Sequence, residues 1–168
     1  VVEEQVEFLR EMAGNSERAL RLDVLDMLAN AARRADVAHK YDDATARLYS
    51  VLESLARNRL LIHYHIKAGN VLPEQVPETI RQDYIRRYSD ADHPEQGLKL
   101  GLQAQYLLLY ALEDELGKMY KAKEEELERV LHARNQSRLA HGTQPIKPDT
   151  YQKLREIVMQ FAGVKEDE

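Results

Sequence analysis

Apolar residues recur along this chain every three or four positions, the period of a helix with one buried face. Val2, Val6 and Leu9 open the pattern, and Leu20, Val24, Leu25, Leu28 and Ala32 form a second stripe. Asn15 or Ser16 between them offers the side-chain oxygen an N-cap needs, so two N-terminal helices are predicted. A long third helix begins near Asp42 and carries Ala44, Leu48, Val51, Leu52, Leu55, Leu60 and Ile66, with Gly69-Asn70 as its stop. From Lys67 to Gly97 the character changes. Gly69, Pro73, Pro77, Pro94 and the polar run "SDADHPEQG" read as loops around one short helix, about Pro77 to Tyr88. Two strong helices follow, about Gly97 to Leu116 with "YLLLYAL" and about Lys118 to Ala140 with the charge run "KAKEEELER". A last helix starts at Pro148-Asp149, where proline suits the first turn, and ends near Ala162-Gly163. No alternating run reads as a strand and no repeat appears. The fold class expected is all-α: a helical bundle with an inserted loop and short-helix excursion.

Composition agrees, with Gly and Pro few and Ala, Leu, Glu, Arg and Lys abundant. The 168 residues suit one domain, or one plus an extension, and can bury a sizeable core. There are no cysteines, which excludes disulfides, thiolate metal sites and cysteine nucleophiles and fits a cytoplasmic location. No apolar run approaches the roughly 20 residues of a membrane span, and no signal peptide opens the chain. The net charge of −5 argues against broad non-specific DNA binding but leaves room for a small basic cleft. The first residue is Val1 and not Met, so a piece of a longer protein is expected. Residues 164–168 are expected to form a disordered acidic tail.

Two stretches bring Arg, Asn and His together: "RNRLLIH", Arg57 to His63, and "RNQSRLAHG", Arg134 to Gly142. On a helix, seven residues from Arg134 to His141 turn about 700°, roughly 20° short of two turns, so both share a face near a helix end. Gly142 then suits the exit and Pro145 blocks continuation. Arg57 and His63 are about 120° off the same line, and His63 sits among Leu60, Leu61, Ile62 and Tyr64. Spacing favours the second stretch as the site and the first as scaffold.

Guanidinium, carboxamide and imidazole together suit phosphoryl chemistry. Arg forks onto phosphate oxygens and stays charged. The imidazole can take or give a proton near neutrality. No Asp/Glu cluster of metal-ligand spacing accompanies them, so neither metal nor cofactor is expected. RNA brings its own nucleophile, the 2′-hydroxyl. Cleavage by this route benefits from a base and an acid, and one chain offers one such His; a symmetric dimer would supply two.

The stretch "RNQSRLAHG", late in a helical chain, resembles the R-x(4–6)-H motif of HEPN ribonucleases. Its Arg-Asn start, "LAHG" end, the following "QPI" and the upstream "YDDATARLYSVLESLARNRL" resemble the CRISPR-associated ancillary ribonucleases that join a CARF domain to a HEPN domain. The similarity covers about residues 30 to 160. It implies a HEPN-like domain over 36–163, with the N-terminal helices of 1–35 linking to a CARF domain outside this sequence. It implies single-stranded RNA as substrate, metal-free cleavage to a 2′,3′-cyclic phosphate and a 5′-hydroxyl, a homodimer with the site at the shared contact, and activation by cyclic oligoadenylate through the CARF domain. Arg134, Asn135 and His141 inherit the catalytic positions, in charge stabilisation, orientation and proton transfer respectively.

Plainer readings stand beside these. Arg134 and His141 are also what a surface Arg and a helix-terminal His at the negative dipole end look like. Ser137 and Arg138 are candidate RNA contacts or solvent-facing residues. His63 and His65 point about 200° apart on a helix, which disfavours a shared metal. His132 reads as a bystander, Tyr106 and Tyr110 as core, and Arg81, Arg86 and Arg87 as a solvated face. Besides the nuclease, a HEPN-type module that binds RNA or protein without cleaving, and a helical interaction scaffold, are the alternative functions.

Overall fold

The computed structural model describes residues 2–37, 40–93, 95–139 and 145–163, with side chains except those of 2–17, 19, 134 and 136–139. Among the described residues six α-helices run in order: α1 (Val2–Asp36), α2 (Tyr41–Tyr64), α3 (Glu78–Tyr88), α4 (Leu102–Ala111), α5 (Glu115–Leu139) and α6 (Pro148–Ala162). The all-α expectation holds. Among the described residues there is no strand, and one antiparallel bridge joins Val71 to Leu98.

The elements depart from the pattern where a backbone hydrogen bond outweighs local preference. The two N-terminal segments form one helix, α1, running through Asn15 and Ser16. Neither residue lacks an N–H as proline does, so a helix passes through both at a modest propensity cost. The helix α2 stops at Tyr64, short of Gly69-Asn70, because His65 takes a left-handed φ of 55°. The amides of His65 and Ile66 turn back onto the carbonyls of Leu61 and Leu60 at 3.1 and 3.0 Å, and Ile66 is buried. The stretch 97–101, expected to start a helix, is extended instead. Val71 and Leu98 exchange both backbone bonds at 2.9 and 2.8 Å, and Leu98, Leu100 and Leu102 are all buried. Beside the bridge, Gly97 donates its amide to Asn70 Oδ1 at 3.0 Å; a Cβ on Gly97 would lie 2.1 Å from that oxygen. The excursion over 67–97 is thus closed at its base, and α3 within it matches its predicted range.

Contacts group the chain into two units, Val1–Val51 with Arg134–Glu168, and Leu52–Ala133. In the first, α6 buries Tyr151, Leu154, Ile157, Val158 and Phe161 along one stripe, while α2 contributes Ala44, Leu48 and Val51 and α1 contributes Val24, Ala31 and Ala35. The rings of Tyr41 and Tyr151 meet at 5.8 Å, and Arg34 pairs with Asp43. In the second unit, Tyr106 is fully buried, stacks on Tyr120 at 4.7 Å, and donates its hydroxyl to the Leu52 carbonyl at 2.7 Å. Tyr84 likewise donates to the Ala104 carbonyl at 2.7 Å. Burial of Tyr106 and Tyr84 is tolerated because each of these hydroxyls has an acceptor, whereas the buried Tyr151 hydroxyl has none among the described residues.

The turn from α4 to α5 organises the second unit. Glu113 adopts φ 59°, and Asp114 becomes the N-cap of α5, accepting the Leu116 amide at 2.9 Å. The same carboxylate, almost wholly buried, accepts Arg59 Nε and the Tyr64 hydroxyl from α2, each at 2.8 Å. Burial by itself would raise the Asp114 pKa, but Arg59, Tyr64 and the Leu116 amide together outweigh it and hold the carboxyl below its ordinary value. Burial, and next the bond to Asp114, push the Tyr64 hydroxyl up. One turn on, Gly117 admits close approach of the α4 backbone: a Cβ there would lie 2.1 Å from the Tyr110 nitrogen.

Three outcomes follow. Asp114→Ala removes a cap and strands Arg59 and Tyr64, and should cost about 2–3 kcal/mol in urea unfolding. The Asp114 pKa is depressed in the fold, so its contribution is present above the unfolded value of 3.8 and lost as pH falls through the lower folded value. Unfolding free energies of Asp114→Asn should therefore lose less than those of the parent chain when pH is lowered from 5 to about 2. Gly117→Ala should destabilise by about 1–3 kcal/mol in the same assay, because backbone and not a mobile side chain blocks the methyl.

Candidate active site

The helix α5 begins at a capped end and is lined with opposite charges one turn apart. Lys118 pairs with Glu115 at 2.8 Å and Lys123 with Glu126 at 3.3 Å, while Lys121 pairs with Glu124. These solvent-exposed pairs keep the polar face soluble and add little else. On the opposite face Tyr120, Leu127 and Val130 are buried. The amphipathic pattern carries the helix unbroken to Leu139.

Four of the five site residues expected from sequence therefore lie on α5: Arg134, Asn135, Ser137 and Arg138. They occupy its closing turns, and Asn135 is exposed. By helical register Arg134 and Arg138 stand one turn apart, at the end where the backbone carbonyls favour cations. His141 and Gly142 lie outside the described residues. The chain is described again from Pro145. Ile146 is buried there, and its amide donates to Asp42 Oδ1 in the first turn of α2 at 3.3 Å. Pro148 then opens α6.

The rival stretch behaves as scaffold. Arg57 is exposed and its guanidinium reaches the Ser54 hydroxyl at 3.4 Å, along its own helix. The residue that matters there is Arg59, which sequence reading passed over. Its Nε holds Asp114 and its Nη1 lies 3.2 Å from His63 Nε2. The four-residue spacing of Arg59 and His63 was the available signal; the carboxylate 55 residues away was not. His65 is not helical at all, since it ends α2.

Other expectations divide. Tyr106 is core, but Tyr110 is 45% exposed. It lies in the last turn of α4, where α5 packs at Gly117 against its backbone and not its ring. On α3, Arg86 and Arg87 both bond Asp83, the latter at 3.1 Å, and Arg81 donates to the Val76 carbonyl at 3.0 Å. That basic spot is largely compensated from within. His132 is exposed and lines a shallow groove with Glu125, Glu128 and Arg129. Among the described residues no three His, Asp or Glu side chains are placed to hold a metal, and no helix is long and apolar enough to cross a membrane.

Among the described residues the fold is all-helical, and its long fifth helix carries an Arg-Asn pair in its closing turns. Comparison with family profiles matches residues 12–165 to the Csm6 HEPN domain, and the chain belongs to that family of CRISPR-associated domains. Neither characterised proteins nor solved structures give a significant match.

Proposed function

We propose that this chain is the RNA-cleaving domain of a CRISPR-associated defence nuclease, with Arg134, Asn135 and His141 as its catalytic residues. The observation that carries the reading is the family match over 12–165 together with the placing of Arg134 and Asn135 on the closing turns of α5, His141 following two residues after Leu139.

The chemistry is transesterification within single-stranded RNA. The 2′-hydroxyl oxygen attacks the adjacent phosphorus while a base takes its proton. The bond from phosphorus to the 5′-oxygen breaks, and an acid protonates the departing oxygen. A 2′,3′-cyclic phosphate and a 5′-hydroxyl result. Arg134 stabilises the charge on the five-coordinate phosphorus. His141 transfers the proton and Asn135 orients phosphate or imidazole. One chain supplies one such His, so a homodimer that sets two motifs across a twofold axis provides both acid and base. No step calls for a metal. Ser137 and Arg138 contact the strand. Cyclic oligoadenylate, bound to a CARF domain outside these 168 residues, switches the activity on.

The test is cleavage of end-labelled single-stranded RNA in excess EDTA, at protein concentrations high enough to populate a dimer. Cyclic-phosphate ends are expected, with Arg134→Ala and His141→Ala each lowering the rate at least about 100-fold while His63→Ala stays within about twofold. RNA that binds but is never cut would support a non-catalytic HEPN module instead, and neither binding nor cutting would point to a protein scaffold.

A further inference from the structure

Among the described side chains, Arg34, Arg47, Arg59, Arg81 and Arg155 are half-buried arginines. Arg34 is paired with Asp43, Arg59 with Asp114, and Arg81 donates to the Val76 carbonyl. Arg155 stands one turn beyond Tyr151; burial pushes the Tyr151 hydroxyl up, and the Arg155 charge opposes that rise. Arg47 differs from all of these. Among the described residues it makes no hydrogen bond, ion pair or ring contact, and its Nε is buried. The reason lies in α2. Asp43, one turn before Arg47, is the partner that helical spacing offers. That carboxylate is taken by Arg34 of α1. One turn after Arg47 come Ser50 and Val51, which bring no charge. Ala44, Leu48 and Val51, its neighbours on the helix, are buried.

A guanidinium is always charged and cannot shed its proton to escape a poorly solvated position. Keeping one half-buried with a donor unused is destabilising unless an anion arrives. Such a cost is expected at a functional site and not in a scaffold. Buried polar atoms without a partner are distributed accordingly. Those on Thr45, Arg47 and Tyr151 fall in the unit that contains Arg134 and Asn135, and that on Gln105 falls in the other. We infer that Arg47 binds a phosphate of the RNA strand. The inference rests on the proposed reading of RNA as the substrate and names a residue that holds it. Arg134 serves the phosphate that is cut, so Arg47 takes another. The guanidinium fork suits two phosphate oxygens, and no ion pair has to be broken first. Each phosphate neutralised releases counterions, so the contact weakens as salt rises.

The experiment measures binding of a fluorescent single-stranded RNA with 2′-O-methyl groups throughout, which has no nucleophile and stays uncut, from about 50 to about 200 mM salt. Arg47→Met keeps the length of the stem and removes the charge. It should weaken binding about tenfold or more. It should also lower the slope of log affinity against log salt by about 0.7. Arg47→Lys, which keeps the charge and loses the fork, should keep the parental slope with intermediate affinity. The free Arg47→Met chain should melt at or above the parent's temperature, because an arginine with a structural partner would lose stability on replacement and an unpaired one does not. Lys121→Ala, which removes a cation already paired with Glu124, should bind as the parent does. Parental affinity and slope in Arg47→Met overturn the inference, as does a melting temperature clearly below the parent's. An Arg47→Met chain that sediments as a monomer where the parent is a dimer also overturns it, since the missing anion would then belong to a second copy. A parent chain that binds no RNA overturns the proposed function itself, and the inference with it.

Discussion

The buried carboxylate of Asp114 is the interaction on which the second unit turns. It sits where α4 must give way to α5, and it satisfies three donors at once: the Leu116 amide that the new helix leaves open, and the Arg59 and Tyr64 side chains of α2. An isolated carboxylate in that position would be driven neutral. With three donors it stays charged, fixes the start of α5 and ties it to the end of α2. The left-handed residue Glu113 before it and the methyl-free Gly117 after it make the sharp reversal sterically possible.

That arrangement starts a long helix, α5. The α5 ladder is continuous from Glu115 to Leu139, so Arg134 and Asn135 are set by a rigid element and not by a loop. Sites built on helices hold their geometry more closely than sites built on loops. Where the chain is described again, the Ile146 amide donates to Asp42 in the first turn of α2.

The two Arg–His stretches show what composition cannot separate and geometry can. Their letters nearly coincide, yet Arg59 rather than Arg57 proves to be the consequential residue of the first, and its consequence is structural. Its guanidinium is committed to Asp114 and lies against His63. A motif search sees Arg, Asn and His in both places. The fold uses one for holding helices together and leaves the other at a helix end, next to solvent at Asn135.

The sequence by itself determined the helical class, the short helix of the excursion, the start and end of α6 and the helical setting of Arg134, Asn135, Ser137 and Arg138. Those follow from local periodicity and end signals, which act over a few residues and are written in order along the chain. Tertiary structure decided the extended pairing of Leu98 and the partners of Arg59, Asp114 and Asp42. Each depends on a partner far away in sequence. Val71 must meet Leu98, Arg59 must meet Asp114, and Ile146 must meet Asp42 before the hydrogen bond that settles the matter exists. Local preference is worth only tenths of a kcal/mol per residue, about 1 for glycine, so one buried polar contact is enough to move a helix end.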